Sequence, residues 1–386
     1  MIPLFLTPMS LSSQSAIGVQ TKLMLEHFPD WRHLYWDARD FGASDPRSTS
    51  ADSFLFTHFT VLKHEPPTIA GRALSAVGLT WWNRNELRER YVRRVVGCYG
   101  SLVNAAYAAP CSLRDSTRMR SILAALKKPF VLHLWDLLDK HQAGSEAFQW
   151  LLKSATKVFC VSEPLVDLLS PFRPDATILR FHRNPTSHLA APPSTGPLRI
   201  ALIGNCRRYP EGLSLLREAV FLLKQNGVDS EVVYIGTRKN VNTWSSSLSK
   251  EVATTGFLAS DDLRDEALAK CHVGFLPGPL EDPGKCMLSR FSIPSRVLDY
   301  MATRLPIIAA VHPSSATAMF LESIGLTDCI LEPSAQRLAR QLTSLSATED
   351  WRHYSAMSGA AFQASLGGFD ELDHWLQLAA DTSPAF

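Results

Sequence analysis

Residues 292 to 311, SIPSRVLDYMATRLPIIAAV, hold the side chains best suited to chemistry. Pro294 fits the first turn of a helix, where a missing N–H costs nothing. Val297, Leu298, Met301, Ala302 and Leu305 then fall on one apolar stripe, leaving Ser295 and Asp299 together on another face. The start of such a helix presents N–H groups without intrahelical partners and the positive end of a dipole, and Arg296 adds a full charge. That combination suits a diphosphate. Asp299, one turn further in, can accept hydrogen bonds from ribose hydroxyls. Its alternative is a surface ion pair with Arg296, worth only a few tenths of a kcal/mol.

A second chemical set lies in KPFVLHLWDLLD. On a strand His133 and Trp135 share one face, and Asp136 stands at the carboxyl end. His133 is either a group that contacts substrate or a satisfied core histidine. Arg207 and Arg208, in the loop GNCRRYPEG, together with Lys285, Arg290 and Arg296, are the cations available to a phosphate.

The elements that must carry these residues alternate. Short β-branched or aromatic runs (IPLFLTP, HLYWD, SLVNAAYA, FVLHLWD, KVFCVS, TILRF) are separated by stretches with apolar residues three and four apart, the mark of βα units around a parallel sheet. After Leu198 the pattern restarts with LRIALIG, SEVVYIG, TTGFL, HVGFLPG, LPIIAAV and CILEP. Between the two sets, residues 182 to 197 are rich in Pro, Ser and Ala and have no period. The expected class is α/β, with two Rossmann-like doubly wound domains facing a central cleft. The first spans 1–185, a linker follows over 186–197, and the second spans 198–367. A last amphipathic helix, within 368–386, is expected to cross back to the first domain. Ligands of open α/β sheets bind at the carboxyl ends of the strands, so function is expected there.

The pattern PSRVLDYMATRLPIIA resembles the nucleotide-sugar signature of GT-B glycosyltransferases of family 4, the glycosyl transferases group 1. The order of KPFVLHLWDLLD, ATKVFCVSEPLVDLL, LRIALIG, VVYIG and TTGFLASDDLRDEALAKCHVGFLPG matches as well, covering residues 128 to 311, with SAIGVQTKLMLEHF near the N-terminus. The resemblance implies transfer of a sugar from a nucleoside-diphosphate sugar, held mainly by the second domain, to a hydroxyl of a glycan or glycolipid acceptor, with retention and without a metal or other cofactor. In agreement, the sequence has no Asp-x-Asp, the carboxylate pair that holds a diphosphate through a hard cation. Carried over residue by residue, Asp299 is the ribose ligand, and Ser295 and Arg296 lie near the phosphates or ribose. Gly18 and Gly204 line the phosphate approach, Arg207 or Arg208 supplies charge while the other is a solvated loop residue, and Gly256, Phe257 and Leu258 meet the base. His133 and Asp136 are the remaining catalytic candidates.

Three positions depart from the family pattern. Phe291 stands where the first acid of the Glu, seven residues, Glu pair belongs, Glu211 where a Lys precedes Gly, and Trp135 where a His precedes Asp. These departures keep open a transferase-like subunit that binds without turnover. A GT-B epimerase acting on the nucleotide sugar is the other alternative.

Composition sets outer bounds. The 386 residues suffice for two cores, and the net charge of +2 gives no reason to expect nucleic acid as partner. Seven cysteines without a CxxC pair read as reduced thiols rather than a disulfide framework or zinc site. No apolar run is long enough to span a bilayer, and the N-terminus lacks the basic start of a signal peptide, so the expected location is cytoplasmic. Residues 72–94 combine Trp81 and Trp82 with Arg84, Arg88, Arg90, Arg93 and Arg94. Such a segment either lies on the inner face of an anionic membrane or is a solvated helix face.

Overall fold

The computed structural model describes residues 3–8, 20–21, 23–24, 32–34, 92–93, 95–97, 100–136, 143–194, 196–204, 206, 209–236, 252–256, 258, 260–365 and 369–381. The chain divides into two compact units. One comprises Met1–Val161, Leu165–Leu179 and Gly368–Phe386, and the other Ser162–Pro164 and Arg180–Gly367.

The first unit is built on a parallel sheet of β1 (Pro3–Leu6), β2 (Arg32–Leu34), β3 (Ala105–Ala108), β4 (Phe130–Leu134), β5 (Lys157–Cys160) and β6 (Thr177–Ile178), in the order β2-β1-β3-β4-β5-β6. Strands β1, β3, β4 and β5 are buried at every position, as expected when helices cover both faces of a parallel sheet. Helices α1 (Leu113–Leu126), α2 (Glu146–Ser154) and α3 (Glu163–Leu169) form the crossovers.

The second unit repeats the plan with β7 (Leu198–Ile203), β8 (Ser230–Ile235), β9 (Val252–Gly256), β10 (Val273–Pro277), β11 (Ile307–Ala310) and β12 (Ile330–Leu331), in the order β12-β11-β10-β7-β8-β9. This is the dinucleotide-fold order, whose switch point lies between β7 and β10. Its helices are α4 (Pro210–Gln225), α5 (Asp261–Ala269), α6 (Met287–Phe291), α7 (Arg296–Ala302), α8 (Ala316–Ser323), α9 (Ala335–Ser344) and α10 (Thr348–Ser365). The stripe predicted on α7 is buried in full, from Val297 to Leu305, and feeds the buried strand β11. Serines cap α1, α2, α5, α8 and α9, each Oγ accepting from a backbone N–H three residues on, worth about 1 kcal/mol apiece. The loop after β7 is shorter than the sequence suggests. Pro210 opens α4, so Glu211 and Gly212 lie in its first turn.

The aperiodic stretch around residues 182 to 197 is tied to the second unit. Ala190 N donates to Thr303 O at 2.9 Å, and His188 Nε2 meets Asp262 Oδ1 at 2.8 Å. The last helix, α11 (Asp370–Asp381), belongs to the first unit and packs on β3 and β4.

Candidate functional site

Strands β7 and β10 pair only over Ile200–Val273 and Ala201–Gly274. Beyond that point Tyr300 of α7 enters between them. Its hydroxyl accepts from Ile203 N at 3.2 Å and donates to Phe275 O at 3.0 Å, satisfying groups the parted strands leave open. Burial pushes the phenol pKa up, so it stays protonated as that donor. The ring fits because residue 274 is glycine: a Cβ there would stand 2.7 Å from Tyr300 Cγ.

At the carboxyl end of β7 the backbone turns through Gly204 with φ +77°, a conformation that side chains resist. Tyr234 Oη fixes this turn by donating to Gly204 O at 2.6 Å. Arg296 fixes it from the other side. Its Nη1 donates to Ile203 O at 3.0 Å and lies 3.1 Å from Cys206 Sγ, and its guanidinium covers the Tyr209 ring with 5.1 Å to the centroid. Part of the charge expected to grip phosphate is thus committed to holding the loop. Among the described residues, Nε and Nη2 of Arg296 have no acceptor, and neither the N–H groups of Ser295 and Arg296 nor the Ser295 hydroxyl has a partner. These are the donors left for an anion. Helix α7 has only seven residues, so side-chain charge counts for more here than its dipole.

Asp299 is not paired with Arg296. Its Oδ1 accepts from Arg183 Nε at 2.9 Å and forms an ion pair with Arg264 Nη2 at the same distance. Arg183, only 4% exposed, also donates to Asp265 Oδ1 and, at 3.3 Å, to Asp261 Oδ2. Arg264 completes the cluster with Asp261 Oδ1 at 2.8 Å. Burial pushes the Asp265 carboxyl above its ordinary value, against the pull of Arg183. The cluster joins α7 to the first turns of α5, which follows β9. Gly256 ends β9 with φ +80°, and Leu258 is half-buried just beyond it. Spacing gave no sign of Arg183, Arg264, Asp261 or Asp265 as members of one group.

Gly18, Arg207, Arg208 and Phe257 lie outside the described residues, as does 72–94 apart from Val92 and Arg93. Glu211 is exposed in the first turn of α4, where the helix dipole favours a carboxylate. Phe291 is a core aromatic whose carbonyl accepts from Ser162 Oγ at 2.9 Å, so the first acid position is filled by packing.

In the first unit the structure corrects one expectation. His133 is 2% exposed and both ring nitrogens are engaged. Nδ1 accepts from Trp135 Nε1 at 2.9 Å and lies 2.8 Å from Tyr107 Oη, while Nε2 faces Leu179 O at 2.8 Å. This arrangement requires the neutral ring with its proton on Nε2. His133 is therefore a core histidine, not a catalytic group. Trp135, standing where the family has His, is one of its partners. Asp136 is half-buried two residues past the end of β4.

Burial pushes the His133 imidazole down to about 3. In the unfolded chain its value is about 6.5, so between these limits the unfolded state binds the extra proton. The stabilisation is complete above about pH 6.5 and is lost as pH falls toward the folded value, at about 1.4 kcal/mol per unit. Urea unfolding at pH 7.5 and pH 5 is expected to show a loss of about 2 kcal/mol in the native protein that His133→Gln lacks. Identical pH dependence in both proteins would contradict this placement.

Among the described residues, no group of three or more His, Cys, Asp or Glu is arranged to hold a metal ion. No described helix is long and apolar enough to cross a membrane.

No family model and no curated protein sequence matches the chain. Solved structures do. The Anabaena protein Alr3699/HepE in complex with UDP and glucose aligns over 100% of both chains with a TM-score of 0.63 and 14% identity. A glycosyltransferase from Rickettsia africae aligns over 99% of both, with a TM-score of 0.54 and 10% identity. The lipopolysaccharide outer core galactosyltransferase WaaB in its apo form aligns over 94% of this chain and 97% of its own, with a TM-score of 0.52 and 10% identity. The chain has the GT-B fold, two parallel-sheet α/β domains of the kind found in these structures.

Proposed function

We propose that this protein is a glycosyltransferase that binds a nucleoside-diphosphate sugar at the carboxyl edge of the second sheet and transfers the sugar to a hydroxyl of a glycan or glycolipid. One observation carries this reading. At the β7/β10 switch point, Gly204, the N–H groups opening α7, without a partner among the described residues, and the uncommitted half of the Arg296 guanidinium offer donors and positive charge one helical turn before Asp299. The HepE structure bound to UDP and glucose supports a uridine diphosphate sugar as the first donor to test.

The reaction is metal-independent and retaining in this proposal. The acceptor oxygen bonds to the anomeric carbon on the face from which the diphosphate leaves, and a departing phosphate oxygen takes the acceptor proton. Arg296 and the α7 N–H groups stabilise the charge that develops on the diphosphate. The first unit binds the acceptor, with Asp136 at the end of β4 as the remaining polar candidate there. The protein works on the cytoplasmic side, and the basic aromatic segment 72–94 brings it to the inner face of the membrane when the acceptor is a lipid.

A second reading, a binding subunit without turnover, is favoured by Phe291 at the first acid position and by His133 in the core. Incubation with a panel of nucleotide sugars, with and without glycan acceptors, separates the readings. Acceptor-dependent release of nucleoside diphosphate is the expected result. Conversion of the donor without acceptor would identify an epimerase, and binding without either product a scaffold.

A further inference from the structure

We propose that Arg183 and Arg264 are positioning residues that aim Asp299 at the ribose of the bound nucleotide, an inference that rests on the proposed function. Asp299 is 15% exposed and its Oδ1 carries both arginine contacts. Among the described residues nothing bonds to its Oδ2, which is thereby fixed in direction and open to a donor. Arg183 itself cannot swing away, since Asp265 and Asp261 hold its other nitrogens and the side chain is almost wholly enclosed. Arg264 is held by Asp261 as well, and its buried Nε has no hydrogen-bond partner.

The charge of the cluster selects what it can meet. Three carboxylates, of Asp261, Asp265 and Asp299, face two guanidinium groups, of Arg183 and Arg264, so the ionised cluster carries one excess negative charge. Such a group repels phosphate and accepts hydrogen bonds from neutral hydroxyls. Arg296, one turn earlier on α7 and about 4.5 Å along its axis, offers the opposite character. A nucleotide lying along this face places its diphosphate by Arg296 and its vicinal ribose hydroxyls by Asp299. The division of labour depends on Arg183, which enters from the stretch before β7 and lies on neither helix.

The test is isothermal titration of the full chain with UDP and with 2′,3′-dideoxy-UDP. The wild-type protein is expected to prefer UDP by about tenfold, the size of one hydrogen bond to a charged acceptor. Arg183→Met is expected to bring that preference close to one by weakening UDP alone, and Arg183→Lys to restore part of it. Should Arg183→Met not fold, Arg264→Met, at a less enclosed position, gives the same reading. A folded variant that keeps the wild-type preference overturns the inference, as does equal weakening of both nucleotides, which marks a purely structural role. Wild-type protein that binds UDP without discriminating removes the inference and leaves the proposed function standing, whereas binding of neither nucleotide removes both.

Discussion

Arg296→Met is expected to lower the unfolding free energy by about 3 kcal/mol and the affinity for a nucleoside diphosphate by at least roughly tenfold. The methionine keeps an apolar stem but no donor. Ile203 O, at the end of β7, then loses the charged hydrogen bond that closes the loop, worth about 1.5–3 kcal/mol, and keeps only the weak S–H donor of Cys206 at 3.3 Å. The guanidinium stacked on Tyr209 contributes about 1 kcal/mol more. The loop it releases is the one that turns at Gly204, so affinity and stability fall together. Urea unfolding and calorimetric titration measure the two effects. Stability within about 0.5 kcal/mol of wild type, the range of an ordinary surface substitution, would show that Arg296 is not the clasp described.

Gly274→Val is expected to cost about 3 kcal/mol or more, because the close approach of α7 to β10 leaves no room for a side chain. A Cβ at 274 would lie 2.7 Å from Tyr300 Cγ and 2.9 Å from both Cδ atoms. The ring is fully buried and its hydroxyl is pinned at Ile203 and Phe275, so it cannot rotate aside without opening both backbone groups. Pairing the change with Tyr300→Leu, which removes the obstructing ring, should give a loss smaller than the sum of the two single losses. Strict additivity would mean that the two positions do not oppose each other.

Much of the fold was legible because parallel strands are buried on both faces and therefore appear as apolar runs. FVLHL, LRIALI and IIAA became β4, β7 and β11 with little change. The α7 stripe was legible for the same reason, since burial repeats with the helical period. Gly227, with φ +74°, closes α4 as its position after KQN suggested. Boundaries were less clear. Pro210 opens α4 although the surrounding GNCRRYPEG suggests a loop, and proline at a first helical position was the available signal.

The site was only half legible. Residues on one element, such as Ser295, Arg296 and Asp299, declare their neighbourhood through spacing. Arg183 does not. Its partners Asp261, Asp265 and Asp299 lie 78, 82 and 116 residues away, a distance over which no local pattern operates. The same holds for His133, whose choice between chemistry and core was decided by Tyr107 and Leu179, 26 and 46 residues away. Long-range packing, rather than residue type, assigned both roles.

Hydrogen exchange of the full chain with and without UDP tests the central claim most directly, because it reports where a nucleotide sits. Added protection is predicted in two peptides, one spanning Ile203 to Tyr209 and one spanning Pro294 to Asp299, with Arg296→Met abolishing both. Protection by UDP confined to other segments, with these two unchanged, would contradict a diphosphate site between β7 and the start of α7.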